Sequence, residues 1–122
     1  MEDDTYCVTA PSNLKGRKKI IIPATYNGKS VTKISDSAFE GCTSLTSIVI
    51  PESVTSIGHS AFRGCTNLTS IIIPNSVKFM DDYVFKNCSL SIVIYCKAAS
   101  QPSGWSDDWN IDNNQVIWGY KG

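Results

Sequence analysis

Apolar residues along this chain fall into short alternating runs that return at a fixed interval. In Leu45-Thr46-Ser47-Ile48-Val49-Ile50-Pro51, Leu45, Ile48 and Ile50 are separated by polar or outward-facing positions. That pattern predicts a short strand, and the proline closes it because it cannot donate to a ladder. Phe39, Phe62 and Phe85 recur every 23 residues, as do Cys42, Cys65 and Cys88, Val31, Val54 and Val77, and Ser30, Ser53 and Ser76. Ile34 and Ile57, joined by Met80, keep the same interval, and so do Leu45 and Leu68 and Pro51 and Pro74. The third copy reads as two residues shorter after its cysteine, with Leu90, Ile92 and Ile94 in the places of Leu68, Ile71 and Ile73. An earlier half-copy starts at Ile20-Ile21-Ile22-Pro23. Its Ala24-to-Lys29 stretch carries a five-residue insertion with Asn27-Gly28 as turn tip.

So many positions in register mark a repeat architecture, in which no unit buries its apolar face alone. Val54 and Ile57 predict a second short extended piece. Asp36-Ser37-Ala38-Phe39-Glu40 predicts a single helical turn with Ser35 or Asp36 as its cap. Gly41, Gly64 and Asn87 follow these turns and suit a left-handed backbone. The expected fold is an α/β repeat solenoid of right-handed coils, with parallel strands, short second strands and single helical turns. Equivalent residues stack about 4.8 Å apart, so phenylalanine meets phenylalanine and isoleucine meets isoleucine. The whole chain, 1–122, reads as one domain: an N-terminal cap over 1–19, repeats over 20–95 and a C-terminal cap over 96–122.

The unit Ser53 to Pro74, SVTSIGHSAFRGCTNLTSIIIP, resembles the BspA-like leucine-rich repeats through its Ile-Gly, Ala-Phe, Gly-Cys and Leu-x-x-Ile-x-Ile-Pro elements. The resemblance spans roughly residues 20 to 95. The segment from Ile94-Tyr95-Cys96-Lys97 through Trp105, Trp109 and Trp118-Gly119-Tyr120 is similar to the closing segment of small members. The resemblance implies a leucine-rich-repeat solenoid with its parallel sheet on the concave side. It also implies a binding role often found at bacterial surfaces, no enzyme activity and no cofactor.

Charge narrows the partners. Eleven basic and eleven acidic side chains cancel, so no long-range field draws in nucleic acid or an anionic membrane. Lys15 to Lys19 is the local exception. Its few charges, with no aromatic residue between them, read as a solvated cap rather than a phosphate-binding run. No apolar run reaches the ~20 residues of a membrane helix, and Met-Glu-Asp-Asp lacks a signal-peptide core. The compartment stays open between the cytosol and the bacterial surface.

Candidate chemistry is sparse. A ladder points Cys42, Cys65 and Cys88 the same way from successive coils, whereas a metal needs convergent thiolates, so they read as small buried core residues. Cys7 and Cys96 lie outside that ladder, and all five cysteines are expected to be reduced. His59 aligns with Asp36 and Asp82 at a variable surface position, without the third group a catalytic site requires. No metal site, cofactor or catalytic residue is assigned.

The strand faces carry the functional reading. With Ile48 and Ile50 inward, Val49 points out, and the same alternation exposes Ile21, Ile72 and Val93. Thr46, Ser47, Thr69 and Ser70 stand beside them, making an apolar stripe edged with hydroxyls. Such a stripe marks a contact surface, although β-branched residues also suit any strand surface. These eight residues are the candidate partner-binding set of a monomeric protein–protein interaction module. Trp105, Trp109, Trp118 and Tyr120 read as a cap over the last coil, with stacking of sugar rings as the alternative use. A glycan-binding or surface-adhesion module is therefore the second function class.

Overall fold

The computed structural model describes the backbone of residues 5–8 and all of residues 18–122. The Lys15–Arg17 part of the basic run, the opening acidic residues and the Cys7 side chain lie outside the described residues. Among the described residues ten short strands follow one another: β1 (Thr5–Val8), β2 (Lys19–Ile21), β3 (Thr25–Tyr26), β4 (Lys29–Ile34), β5 (Ser47–Val49), β6 (Ser56–Ile57), β7 (Ser70–Ile73), β8 (Phe79–Met80), β9 (Val93–Cys96) and β10 (Gln115–Trp118). They form two faces of a solenoid. One face is the parallel sheet β1-β4-β6-β8, with β3 folded back antiparallel on β4. The other is split into β2-β5 and β7-β9-β10, both parallel.

The 23-residue interval becomes register. Ile34 lies opposite Ile57 and Ile57 opposite Met80, all buried, while Lys33, Ser56 and Phe79 form the adjacent outward row. Phe39, Phe62 and Phe85 stack with ring centroids 5.5 and 5.7 Å apart and planes within 5°. The thiols of Cys65 and Cys88 donate to the carbonyls of Phe39 and Phe62 one coil earlier, at 3.2 and 3.1 Å. A weak donor thus fills a cramped core position and still meets an acceptor. The insertion forms the expected hairpin, with Asn27 and Gly28 both at positive φ (52° and 78°) as a tight two-residue turn requires.

The single helical turns expected from the sequence are absent: the described residues contain no helix. Each Ala-Phe segment is instead a chain of tight turns, because Ser37, Ser60 and Tyr83 take left-handed φ of 56°, 57° and 63°. Gly41, Gly64 and Asn87 are also left-handed, as their types suggested, at 74°, 77° and 61°. This alternation swings every second N–H out of its own segment and onto the next coil. Ser37, Phe39 and Gly41 donate to the carbonyls of His59, Ala61 and Arg63; Ser60, Phe62 and Gly64 donate to those of Asp82, Val84 and Lys86. Asp36 does not cap a helix; its Oδ1 accepts the His59 N–H from the following coil.

A second correction concerns the third copy, which keeps the full interval. Ile94 and Cys96 lie opposite Ile71 and Ile73, and Val93 lies opposite Ser70. Cys96 is therefore a fully buried core residue, while Leu90, expected inside, is 94% exposed.

The C-terminal segment is an atypical further coil. Trp105 forms a parallel bridge with Met80, and its indole N–H donates to the Val77 carbonyl at 3.2 Å. Trp109 meets Phe85 edge-on at 6.2 Å, ending the phenylalanine ladder. The Asp112 carboxylate accepts the Asn87 N–H in place of a backbone carbonyl, and β10 closes the sheet on β9.

Candidate functional site

The outward side chains of the split face form two rows. At the 23-residue interval Ser47, Ser70 and Val93 make one row, with Lys19 opposite Ser47 and Gln115 opposite Val93. Ile21, Val49, Ile72, Tyr95 and Ile117 make the other. Ile21, Val49 and Ile72 are 64%, 49% and 40% exposed. Thr46, Thr69 and Ser70 are exposed beside them, and Ser47 is half-buried.

Val93 is displaced from the place the sequence reading gave it. It faces outward half-buried, but in the serine row, and Tyr95 takes the position beside Ile72. Tyr95 also holds Tyr120, with ring centroids 4.6 Å apart. Tyr95 escapes an alignment that shortens the third copy by two residues, and the register Ile71 to Ile94 at the ordinary interval finds it. Ile117 pairs with Tyr95 at an interval of 22 residues, which the repeat does not announce.

Alternation places these residues here. The inward partners Ile48, Ile50, Ile71, Ile73, Ile94 and Cys96 are all buried, so the intervening side chains have only solvent to face. Between β5 and β7 no ladder forms, and a small cleft of about 180 Å³ opens there. Val49 and Ile72 form its sides, with Ile48, Ile50 and Pro74 beneath. At one end Lys97 Nζ lies 3.7 Å from Glu52 Oε2, both side chains partly exposed. Such a pair contributes little to stability but sets opposite charges beside an apolar cleft.

Of the tail aromatics, Trp105 and Trp109 are buried, while Trp118 and Tyr120 are half-buried. Trp105 and Trp109 are each 4% exposed and lie edge-to-face at 4.9 Å, with Trp118 packed against both. Val116 packs on the core as well, whereas Ile111 and Ile117 remain exposed.

Among the described residues, three buried thiols have raised pKa values. Burial pushes the thiols of Cys65 and Cys96 up to about 12 and that of Cys88 up to about 11. They stay protonated, the opposite of an activated cysteine. Cys42 is buried in the same ladder. His59, read as a lone surface residue, stands beside Tyr83 at 5.5 Å and near Asp81 and Asp82, the three donor atoms within 4.8 Å of one another. Asp81 Oδ1 already accepts the Asp82 N–H, and Asp82 Oδ1 accepts the Ser106 hydroxyl.

Comparison with known proteins identifies the family and the fold. A family model described as BspA type leucine rich repeat region matches residues 12–101 in six copies. A Treponema pallidum leucine-rich-repeat crystal structure superposes with a TM-score of 0.71 at 24% identity, covering 95% of this chain and 58% of that one. A Bacteroides capillosus leucine-rich-repeat protein gives 0.69 at 23% identity, covering 98% and 88%. A leucine-rich cell surface protein of Faecalibacterium prausnitzii gives 0.52 at 19% identity, covering 98% and 33%. This chain thus spans little more than half of the Treponema protein and a third of the Faecalibacterium one. No curated protein shows a significant match.

Proposed function

Because the chain belongs to the BspA-type leucine-rich-repeat family, we propose that it is a non-catalytic, monomeric module that binds a protein partner through its split sheet face. Proteins of this family generally mediate protein binding or surface interaction. The observation that carries the reading is the in-register row Ile21, Val49, Ile72 and Tyr95, interrupted by the cleft between β5 and β7. Exposed apolar side chains aligned over consecutive coils would lose water together when covered, and the cleft would accept one apolar anchor. Thr46, Ser47, Thr69, Ser70 and Val93 form the polar and mixed margin of the same surface.

Five strands spaced about 4.8 Å apart span about 19 Å, which falls short of the ~800 Å² per partner of a standard interface. A tight partner therefore extends onto neighbouring segments, such as the one carrying Tyr120 beside Tyr95, and a partner confined to the strip binds weakly. A bacterial surface is the proposed setting, by analogy with the cell surface protein of Faecalibacterium.

The test is quantitative affinity capture with the native chain and with Val49→Asp and Ile72→Asp. Both substitutions fall at exposed positions, so melting temperatures should hold. Specific partners should be lost by at least tenfold. Recovery of the same proteins at the same abundance with both variants would refute this face as the interface.

A further inference from the structure

The β4-β6-β8 face carries a second, chemically different surface. Its outward row runs Lys33, Ser56, Phe79 on three consecutive coils, followed by Gly104 of the closing coil. Ser35, Gly58, Asp81 and Ser106 line the same groove two residues along, giving a cavity of about 690 Å³. That volume is within the roughly 300–1,000 Å³ of small-ligand sites. The floor is low because its central residues are Ser56 and Gly58. The walls are Lys33 on one side and Phe79 on the other, two coils and so about 10 Å apart.

Phe79 stands where the two preceding coils carry lysine and serine. It is 59% exposed, although an inward alternative, Met80, adjoins it in the strand and is buried. Its ring rests against Gly104, where a Cβ would come within 2.8 Å of the ring. The ring is thus supported from beneath and left open to solvent. Around it, Lys33, Asp36 and Asp81 make no ion pair among the described residues. Asp36 Oδ1 accepts the His59 N–H and Asp81 Oδ1 the Asp82 N–H, and both carboxylates line the groove with acceptor capacity beyond these bonds.

From this arrangement we infer that the β4-β6-β8 groove binds a neutral saccharide, with one pyranose ring stacked on Phe79 and its hydroxyls shared between Lys33 and the Asp36 and Asp81 carboxylates. The lining itself discriminates among ligand classes. An acidic ligand meets two carboxylates, a basic one meets the Lys33 ammonium, and an apolar one finds a single large exposed side chain. A sugar presents an apolar C–H face to the ring, while each hydroxyl donates to a carboxylate and accepts from an ammonium. The site is separate from the proposed protein-binding face, and from the buried tail tryptophans.

The test is isothermal titration of the full chain with a panel of cello-, xylo-, manno- and galacto-oligosaccharides and N-acetylglucosamine oligomers. Backbone amide shifts map any binder. At least one oligosaccharide should bind, moving the resonances of Lys33, Ser56, Gly58, Phe79 and Gly104. Phe79→Ala should weaken it at least tenfold, Asp81→Asn and Lys33→Met severalfold, and Phe79→Tyr should retain it. Ser56→Arg, which fills the floor beside the ring while keeping the Phe79 side chain itself, should also abolish binding. Val49→Asp should leave sugar binding unchanged, which separates this inference from the proposed protein interface. Absence of binding at millimolar oligosaccharide, an unchanged affinity in Phe79→Ala and Ser56→Arg, or shifts confined to the Ile21–Val49–Ile72 face would overturn it.

Discussion

Phe62→Ala removes the centre of the aromatic ladder. The ring is fully buried and stacked between Phe39 at 5.5 Å and Phe85 at 5.7 Å, so truncation strips contacts from two coil junctions at once. Removing about 150 Å² of apolar burial at about 25 cal/mol/Å² costs about 4 kcal/mol, and buried phenylalanine truncations measure about 3–5 kcal/mol. Each lost stack adds to this by about 0.5–1.5 kcal/mol, offset where the neighbouring rings relax into the space. In a solenoid that stability couples coils along one dimension, so the loss should also reduce the sharpness of the transition. Urea melts followed by tryptophan fluorescence report it directly, because Trp109 sits at the top of the same ladder. Arg63→Ala, at the neighbouring half-buried position, should cost less than about 0.5 kcal/mol. Equal losses for Phe62→Ala and Arg63→Ala would refute the assigned register.

Further outcomes follow from the same geometry. Cys65, Cys88 and Cys96 have raised folded values of about 12, 11 and 12 against an ordinary 9.0, so their neutral form is favoured in the fold and its stabilisation is fully present below pH 9. Urea stability should fall by about 1 kcal/mol per cysteine per pH unit between pH 9 and 11, and a flat profile in Cys88→Ala and native protein alike would contradict the burial. Deleting residues 103–122 uncovers Met80, Phe85 and Ile94 and should cause aggregation or a large drop in melting temperature; a soluble truncation with unchanged melting would refute the capping role. Gly58→Ala puts a Cβ 2.6 Å from the Asp36 backbone nitrogen, so calorimetry should show a loss of about 1–3 kcal/mol.

The phenylalanine, isoleucine and cysteine ladders were legible in the sequence because a core position tolerates few residue types, and stacking repeats the constraint every coil. The turn conformation was not. Ser37, Ser60 and Tyr83 are not residue types that announce a positive φ; they adopt it because the next coil's carbonyls offer their N–H groups partners. Propensity within one segment read a helix where bonding between segments decided otherwise. The third copy misled for a related reason. Leu90 looks like a core leucine, but the interval from Ile71 to Ile94 fixes the strand and leaves Leu90 outside. Of the candidate surface, Ile21, Val49 and Ile72 followed from alternation alone. Tyr95 depended on that misjudged register, and Phe79 was readable only as a bulky residue at an outward position.

The turn column also gives the solenoid an electrical direction. Parallel sheets nearly cancel their peptide dipoles, since each strand donates to and accepts from its neighbours. The column of Ser37, Phe39 and Gly41, then Ser60, Phe62 and Gly64, does not, because every one of those N–H groups points toward the C-terminal coil. Summed over successive coils, the aligned bonds place partial positive charge at the C-terminal end, as a helix does at its N-terminus. The acceptor there is the Asp112 carboxylate, with Asp107 and Asp108 nearby in sequence. The closing coil thus acts as an electrostatic stopper as well as an apolar lid, and its Asp112 should lose part of its stabilising effect as salt screens the column's end.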